Sequence, residues 1–369
     1  MPDSEAAWDR YLDQAFLSGR KIVTNSPQEV FAIDVGTHRL PVTLNREGRA
    51  GTTWVNSLRN AYGPYARVEL GLVKMPFLHR CLCGLASLLG EQLIRAGGLS
   101  GGAFLGNWLI STNLHPAGLT TEQLLSATKE IAAKEPTLPI IIRSLTPKLH
   151  AGLIDDLKSA GFLLFPTRQI WIADNLNGVT WKRLRDVRRD LALEKQSHLS
   201  HEWIHGEDFT VSQFGEATQL FNDLYRIKYP RHNPEFTEDF LHLGVDTGAL
   251  KVLGLRRLGD TALCGMIAMI RRGGVMATTA LGYDLNSSLD EGLYRLLSIK
   301  AFLIAREAGL PLHCSAGAGG FKNSRGASHH LEYAAVWAGH LPSWRQALLR
   351  HLQSLLKKVA IPVLEKPIL

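Results

Sequence analysis

One stretch in the second half of the chain, residues 281–337, constrains the fold more than any other. An apolar, strand-like run at 275–282 enters a polar loop, and a helix opens at about 292–293. A short strand follows at 310–315, and a glycine-rich turn then leads into residues 321–322. The first N–H groups of a helix have no partner within the helix, and that end of the helix is positive. The order of these elements therefore predicts an anion site beside a diverging pair of strands.

Three short motifs stand in this stretch in a fixed order. They are Gly282-Tyr283-Asp284 at the strand end, Leu293-Tyr294-Arg295 at the helix start, and Ser315-Ala316-Gly317-Ala318 running to Phe321-Lys322 and Gly326. With this order and spacing, the stretch resembles the C-terminal half of the GNAT acyltransferase fold, in its Fem-like or BioF2-like branch. The resemblance implies an acyltransferase built from two GNAT-like domains in tandem.

The rest of the chain alternates helical and strand-like segments, and this order predicts the fold class. We predict an α/β protein with a mixed sheet and two tandem GNAT-like domains. The predicted domains are residues 1–175 on the acceptor side and residues 200–369 on the donor and catalytic side, joined by a basic connecting helix at 176–199. Within the first domain we expect a strand at 103–110, and a helix followed by a two-strand hairpin that ends near Asp174.

The composition is that of a globular protein with a sizeable core. The chain has 369 residues, of which 45% are hydrophobic and 20% charged, so two domains are the expected number. The most apolar segment, residues 75–94, contains His79, Arg80 and Glu91 and is predicted to be a buried helix, not a membrane span. The acidic, amphipathic N-terminus differs from a secretory signal, so a cytoplasmic location is expected.

Cysteine and histidine spacing gives no sign of a disulfide framework or a metal site. The four cysteines, at positions 81, 83, 264 and 314, show no paired spacing. His79, Cys81 and Cys83 lie two residues apart in a helical run, where such neighbours point to different faces. We therefore predict structural cysteines, no metal and no tightly bound cofactor.

The chain is moderately basic, with a net charge of +7, which allows a polyanionic partner such as tRNA without demanding one. The connecting helix concentrates this charge, because residues 180–195 hold six cations and three carboxylates. Opposite charges lie three or four residues apart, so a solvated, self-paired helix face is slightly favoured over an RNA contact.

Lys322 is the first candidate for catalysis. It follows the glycine-rich turn, where an ammonium can hold a donor phosphate or stabilise the oxyanion that forms when an amine attacks an acyl carbon. The resemblance implies a donor site at Phe321 and Lys322, because the matching Phe-Lys pair of Fem-type enzymes lies there. The alternative is a surface lysine that follows a loop.

Two further catalytic candidates, Tyr283 and Asp284, end the central strand, at the point where two strands of a GNAT fold diverge. Tyr283 would donate a hydrogen bond to the leaving group, and Asp284 would receive the acceptor amine. An aspartate before a loop is, however, often only a turn former.

Donor-binding residues are predicted around the helix start and the glycine-rich turn. They are Gly292, Tyr294, Arg295, Phe321 and Arg325. Arg325 would either join Lys322 at a phosphate or cap the turn. His329 and His330, on the same predicted loop, are interpreted as solvated histidines and not as general bases.

A second cluster, residues 224–237, alternates cations with aromatic residues. Prolines at 230 and 234 predict an irregular loop after a helix, and the Fem-like branch has a comparable stretch. Such a loop would close over the acceptor, and its rings and cations would stack on a base or ring. The substrate-binding candidates are Tyr229, Arg231 and Asn233. A packed, rigid loop with exposed cations is an equal alternative.

The loop before the predicted helix bears on the donor. GNAT enzymes that use acetyl-CoA carry a glycine-rich turn around the pyrophosphate, whereas this loop has one glycine, Gly292, and two carboxylates, Asp290 and Glu291. These carboxylates disfavour a pyrophosphate by charge repulsion. Fem-type enzymes, which take an aminoacyl group from tRNA, also lack the full turn.

The sequence thus predicts an N-acyltransferase that forms an amide bond on an amine acceptor. Aminoacyl-tRNA is slightly favoured as the donor, and acyl-CoA is the alternative. The acceptor is left open between a cell-wall precursor, a natural-product amine and a lipid-linked amine. A non-catalytic module that binds tRNA or another ligand is the alternative of a different class.

Overall fold

The computed structural model describes residues 5–27, 29–48, 52–72, 77–228 and 232–366. Its first half begins with a helix that continues as a π-helical turn, Leu12–Leu17. The helices and strands of this half are α1 (Glu5–Tyr11), β1 (Glu29–Val35), β2 (His38–Asn45), α2 (Leu58–Tyr62), α3 (Pro64–Leu72), α4 (Phe77–Ala96), β3 (Gly102–Leu105), α5 (Thr121–Lys134), β4 (Ile140–Leu145), α6 (Pro147–Ser159) and β5 (Leu163–Ala173).

The second half repeats the alternation with a longer run of antiparallel strands. Its helices and strands are α7 (Arg185–Ser197), β6 (His201–His205), α8 (Val211–Lys228), α9 (Glu238–Asp246), β7 (Leu250–Arg257), β8 (Leu263–Arg272), β9 (Val275–Tyr283), α10 (Leu293–Glu307), β10 (Leu312–His313), α11 (Gly319–Asn323), β11 (Ser328–Trp337), α12 (Ser343–Val359) and α13 (Ile361–Leu364).

The strands of the described chain form one mixed sheet. Their order is β1-β2-β3-β4-β11-β5-β10-β9-β8-β7-β6. Two pairs are parallel, β3 with β4 and β9 with β10, and the other neighbours are antiparallel. In each half, antiparallel strands therefore lead to one parallel partner. The predicted α/β class with a mixed sheet is confirmed.

The two halves exchange their last strands. The final strand of the first half, β5, pairs with β10, whereas β11 crosses over to pair with β4. The two exchanged strands also pair with each other along most of their lengths. One continuous sheet thus crosses the predicted boundary at residues 176–199, and the domain limits themselves stay a prediction.

The chain ends are exchanged in the same sense. At the N-terminus, Glu5 forms an ion pair with Arg272 of β8, and the Tyr11 hydroxyl donates to the carbonyl of Phe240 in α9. At the other end, α12 packs against α4 and β5 of the first half. Each half is therefore covered by a helix from the opposite end of the chain.

Local sequence signals explain several element boundaries. The Thr120 hydroxyl accepts a hydrogen bond from the Gln123 N–H while the Gln123 side chain accepts from the Thr120 N–H, so a capping box opens α5. The three isoleucines at 140–142 are buried on both faces of β4, as expected for a strand with helices on either side.

The predicted hairpin before Asp174 is wrong. Residues 163–173 form a single long strand, and Pro166 does not interrupt it. The pairing with β11 shifts between Glu332 and Tyr333, next to the proline, so the irregularity accommodates a residue that has no N–H to donate. The strand predicted at 103–110 is also shorter, because β3 ends at Leu105.

The prediction that residues 75–94 form a buried helix is only half right. Helix α4 forms, with Cys83 on its buried side and Cys81 on its exposed side, as the spacing predicted. Its outer face leaves large apolar side chains exposed. They are Phe77, Leu78, Leu82, Leu85, Leu88 and Leu89. Among the described residues, no helix combines the length and apolarity that a membrane crossing requires.

Candidate active site

The predicted divergence of two strands is present between β9 and β10. These strands pair only at Leu312 with Met276 and at His313 with Ala277, after which they separate. The gap holds a pocket of about 230 Å³, here called the Lys322 pocket. Its walls come from β9, α10, the turn at 314–318 and α11. The polar side chains in this lining are Ser111, Tyr225, Thr278, Thr279, Tyr283, Tyr294, Ser298, Cys314, Ser315 and Lys322.

The turn below the pocket is strained. Ser315 and Ala318 both adopt left-handed backbone conformations, with φ of 58° and 48°, although neither is a glycine. Such conformations cost about 1–3 kcal/mol each and persist only where the surroundings impose them. The Ser315 hydroxyl accepts hydrogen bonds from Thr112 at 3.2 Å and from Arg168 at 3.4 Å, which helps to hold the turn.

Lys322 lies on α11 with its side chain 8% exposed. Its ammonium donates to the backbone carbonyls of Ala316 at 2.7 Å and Ser315 at 3.4 Å. Burial lowers the pKa of Lys322 to about 8, because the charged form loses hydration. The alternative of a surface lysine is therefore wrong, and the residue is a cation at the wall of the pocket.

Thr279 was not among the predicted site residues. The pairing of β8 with β9 shifts between Ala268 and Met269, so that Thr279 is the extra residue of a bulge. Bulges redirect side chains, and Thr279 lines the Lys322 pocket. Its hydroxyl is buried and has no hydrogen-bond partner among the described residues. A buried hydroxyl of this kind is available to a ligand.

Aromatic rings form the side of the pocket nearest α10. Tyr283, a predicted catalytic residue, lies with its ring centroid 6.1 Å from that of Tyr294. The Tyr294 ring lies 4.7 Å from Phe321. The glycine before Tyr283 has a packing role, because a Cβ on Gly282 would come within 2.4 Å of the Phe221 backbone nitrogen in α8.

A second space, here called the α10 cleft, lies at the start of α10 and has a volume of about 600 Å³. All five predicted donor-binding residues, Gly292, Tyr294, Arg295, Phe321 and Arg325, line it. The cleft shares Tyr283, Tyr294 and Phe321 with the Lys322 pocket. The structure thus brings the predicted donor residues together at a helix N-terminus.

The two arginines of the cleft share one carboxylate. Asp190, on α7 and fully buried, accepts from Arg295 at 2.6 Å and from Arg325 at 2.5 Å. The Arg325 guanidinium also lies 3.4 Å from the centroid of the Phe321 ring. Asp190 was not predicted as a site residue. Its single negative charge is shared by two arginines, so the three side chains together carry a net positive charge at the cleft.

Asp284 lines the cleft but is committed to other partners. Its carboxylate accepts from Arg257 at 3.3 Å, from the Ser287 hydroxyl at 3.1 Å and from the Asn286 N–H at 3.0 Å. Burial is the largest single effect and raises the pKa of Asp284, but these donors together outweigh it and hold the pKa below its ordinary value. The carboxylate therefore stays charged and forms the turn, which makes it a weak base for an acceptor amine.

Asp290 and Glu291, which were expected to repel a pyrophosphate, do not line the cleft, although their neighbours Leu289 and Gly292 do. Glu291 instead accepts from Arg257 at 2.7 Å and lies 2.9 Å from His201. His201, Cys264 and Glu291 form the one group of potential metal ligands within the described residues. Arg257 contacts both oxygens of Glu291, so the group is an ion-pair network and a poor metal site.

Several other predicted residues lie elsewhere. The expectation that His329 and His330 occupy a loop is wrong, since both lie in β11, and His329 is 3.1 Å from the Glu365 carbonyl. Asn233 is buried and accepts from the Trp54 indole N–H at 3.1 Å. Tyr229 and Arg231 lie outside the described residues.

The charges of the connecting helix pair among themselves only in part, because Arg185 lies 3.2 Å from Asp186 while two other carboxylates pair with other elements. The buried Asp190 pairs with α10 and α11, and Glu194 lies 3.7 Å from Lys300 of α10. The cations point outward instead. The exposed ones are Lys182, Arg183, Arg185, Arg188, Arg189 and Lys195. This basic face shares its helix with Asp186, which lines the α10 cleft.

The corresponding place in the first half is filled. There β3 and β4 form the parallel pair, and Ser144 near the end of β4 has a left-handed φ of 63°, as Ser315 has just after β10. The Arg143 side chain occupies this region, 5% exposed, 3.0 Å from the Asn107 amide oxygen and 4.6 Å from the Trp54 ring centroid.

No protein-family model matches the chain, and neither does any curated protein. Several solved structures do match the chain. L-PGS from Bacillus licheniformis matches at 15% identity over 63% of this chain and 77% of its own, with a TM-score of 0.44. FemX matches at 11% identity over 63% and 78%, with a TM-score of 0.46. A tandem GNAT protein from the clavulanic acid biosynthesis pathway matches at 11% identity over 64% and 75%, with a TM-score of 0.34.

The neighbours include Fem-like and tandem GNAT proteins. At such identities and scores, activity has to be argued from the residues of this chain.

Proposed function

We propose that the chain is an N-acyltransferase that forms an amide bond, with its reaction at the Lys322 pocket. The observation that carries the proposal is the buried ammonium of Lys322, which donates to carbonyls of the strained turn where β9 and β10 separate. A buried cation without a buried carboxylate partner is unfavourable for stability, and cations in such places serve chemistry more often than structure.

In the proposed reaction, an acyl ester or thioester enters the gap between the strands. The acceptor amine attacks the acyl carbon, a C–N bond forms, and negative charge develops on the carbonyl oxygen. Lys322 and the Thr279 hydroxyl are the donors placed to stabilise that charge. The C–O or C–S bond then breaks, the amine loses its proton, and the leaving oxygen or sulfur receives one.

The α10 cleft would hold the carrier of the acyl group. A helix N-terminus and the two arginines that share Asp190 favour an anionic group there. The exposed cations at α7 extend this field over the surface. A polyanionic carrier fits both features, and we propose aminoacyl-tRNA as the donor, with coenzyme A thioesters second. For the coenzyme A thioesters, the observation in favour is the pair of arginines in the cleft.

The test is a transfer assay that replaces the unidentified acceptor with hydroxylamine, a small and reactive amine. The purified chain would be given acetyl-CoA, palmitoyl-CoA or charged tRNA, and the acyl or aminoacyl hydroxamate would be measured. The proposal expects product from at least one donor, with a rate at least about a hundredfold lower in Lys322→Ala, as for the loss of one oxyanion donor.

Lys158→Ala is the matched control, because Lys158 is an exposed lysine on α6 with only a local ion pair. Equal rates in wild type and Lys322→Ala would remove Lys322 from the chemistry. Tight, salt-sensitive binding of tRNA that is the same with and without an amino acid, and no hydroxamate from any donor, would instead indicate an RNA-binding module.

A further inference from the structure

A further cavity of the described chain meets the α10 cleft at Gly320 and Phe321. Its volume is about 710 Å³, and its walls come from α3, α4, β5, the turn at 316–321 and the C-terminal helices. Small and aliphatic side chains leave the space open, among them Ala66, Leu70, Ala86, Val359 and Val363. A concave, mostly apolar space of this size is typical of a ligand site.

Several polar groups of the lining are satisfied within the protein, whereas the Tyr62 hydroxyl is buried and has no hydrogen-bond partner among the described residues. Arg168 is paired with the buried carboxylate of Glu332 at 2.8 Å. Ser87 donates to the Tyr62 carbonyl at 2.8 Å. Burial raises the pKa of Glu69, against the opposing contact with the Tyr65 hydroxyl. A cavity with so few available polar groups excludes water and charged ligands and favours a hydrocarbon.

The cavity and the Lys322 pocket share a wall. Ala316, Gly317, Ala318 and Phe321 line both spaces, so the two lie against the same turn. A ligand that fills the cavity therefore reaches the neighbourhood of the reacting centre. The far end is covered by the C-terminal segment, because the Gln169 amide donates to the carbonyls of Leu364 at 2.6 Å and Lys366 at 2.7 Å.

We propose that this cavity binds a long, unbranched alkyl chain that belongs to one of the two substrates, with the reactive head of that substrate in the Lys322 pocket. The inference rests on the proposed function and names a substrate class for it. An acyl donor and a lipid-like amine acceptor would both present such a chain, and the experiment separates them.

The first measurement is calorimetric binding to the purified full-length chain. One series of probes is acetyl-, octanoyl-, lauroyl- and palmitoyl-CoA, and the other is butyl-, octyl-, dodecyl- and hexadecylamine, kept below their micelle concentrations. Affinity should rise roughly fourfold for each added methylene that is buried. A rise in the thioester series places the chain on the donor, and a rise in the amine series places it on the acceptor.

Two variants fill the cavity from different helices, Ala86→Phe on α4 and Ala66→Phe on α3. Each should weaken binding of the longest probe at least tenfold and shift the preferred chain length downward. Ala133→Phe, at an exposed position of α5, is the matched control and should leave both series unchanged. Circular dichroism checks that each variant is folded. If one cavity variant does not fold, the other still tests the proposal.

The proposal is overturned if neither series depends on chain length, or if both folded cavity variants bind the longest probe as the wild type does. Each titration contains a single substrate, so the result does not depend on transfer. Hydroxamate formation without any dependence on chain length would support the proposed function while it overturns the cavity assignment. Chain-length-dependent binding without hydroxamate formation would support the cavity assignment while it contradicts the proposed function.

Discussion

Lys322 combines a charge with a buried position, and its surroundings do not compensate for this. The carbonyls of Ala316 and Ser315 accept from it, but the carboxylate that usually accompanies a buried lysine is absent from its described neighbours in the Lys322 pocket. A lysine kept for stability would have such a partner. This difference separates a functional lysine from a structural one, and it leads to three predictions.

Lys322→Met should lower the transfer rate at least about a hundredfold and yet stabilise the fold. Burial lowers the pKa of Lys322 from its ordinary 10.5 to about 8, which corresponds to roughly 3 kcal/mol of unfavourable free energy for the protonated form at pH 7. Methionine removes that penalty and keeps the volume. Urea unfolding at pH 7 measures the change, with Lys158→Met on exposed α6 as the control. A less stable Lys322→Met would show that the lysine supports the fold.

The pH dependence of transfer follows from the same shift. If the ammonium stabilises the oxyanion, kcat/KM with hydroxylamine should fall as pH rises through about 8, where Lys322 loses its proton. Lys322→Arg, which stays charged, should move that fall to higher pH. A rate that rises through pH 8 would make Lys322 a general base instead.

Stability should change in the opposite sense. Between about pH 8 and 10.5 the unfolded chain binds more protons at Lys322 than the folded chain does, so this lysine makes stability rise with pH in that window. Below pH 8 both states are protonated and the contribution is constant. The difference between the stability profiles of the wild type and Lys322→Met isolates the effect.

Residue types in a motif were enough to predict much of the site, but not its least regular members. Phe321, Lys322 and Arg295 lie where the motifs placed them, because a glycine-rich turn and a helix start are local signals. Thr279 depends on a bulge between β8 and β9, and its sequence context is an ordinary strand. Asp190 reaches the cleft only because α7 packs on α10, and a contact over more than a hundred residues leaves no local mark.

At the level of elements, α7 acts as a clamp and not as a solvated linker. Its buried Asp190 joins α10 and α11 through Arg295 and Arg325, and these are the helices that carry the donor-binding candidates. The pattern of charges predicted the helix but not its partners, since spacing within a helix says nothing about which other helix faces it. The orientation of α7 is thus coupled to the shape of the α10 cleft.

Asp190→Asn should destabilise the protein by about 3 kcal/mol or more, because Arg325 is left buried without its carboxylate. The apparent KM for the donor should rise as well, since Arg295 and Phe321 lose a fixed neighbour. Glu194→Gln, on the same helix and in a half-exposed pair with Lys300, should change stability by less than about 1 kcal/mol. Urea unfolding distinguishes the two, and similar losses in both variants would contradict the clamp.

Gly282 sets how closely α8 approaches β9. Gly282→Ala should destabilise the fold by about 1–3 kcal/mol and lower transfer, because the new Cβ meets the α8 backbone beside Tyr283. Gly152→Ala on exposed α6, where a Cβ meets nothing within 4 Å, should instead stabilise by roughly 0.5–1 kcal/mol. Thermal unfolding of the two variants gives the comparison, and a Gly282→Ala protein of wild-type stability would rule out the close contact.

At the scale of the whole molecule, the two halves share one continuous sheet across the predicted domain boundary. Element order predicted two α/β units, and each half does run from antiparallel strands to one parallel partner. The exchange of β5 and β11 was beyond prediction, because both orders of pairing satisfy the same apolar patterns. Only the packing of the complete chain decides which strand lies beside β4.

The exchange predicts that residues 1–178 and 179–369, produced separately, do not unfold cooperatively, because each lacks a strand that completes its sheet. Mixed together, they should recover the circular dichroism spectrum and the transfer activity of the intact chain. Full-length protein cleaved after Gly178 by an engineered protease site is the control and should remain folded. A fragment that unfolds cooperatively alone would restore the picture of two independent domains.

The crossing of β11 also affects the order in which the chain can fold during synthesis on the ribosome. Strand β4 (Ile140–Leu145) cannot receive its neighbour until β11 (Ser328–Trp337) has been translated, which takes roughly ten to forty seconds at ordinary elongation rates. During that interval a strand made of buried isoleucines has an open edge, the kind that recruits other chains. The nascent protein would therefore depend on chaperones, or on a low expression level, more than a chain in which each half completes its own sheet.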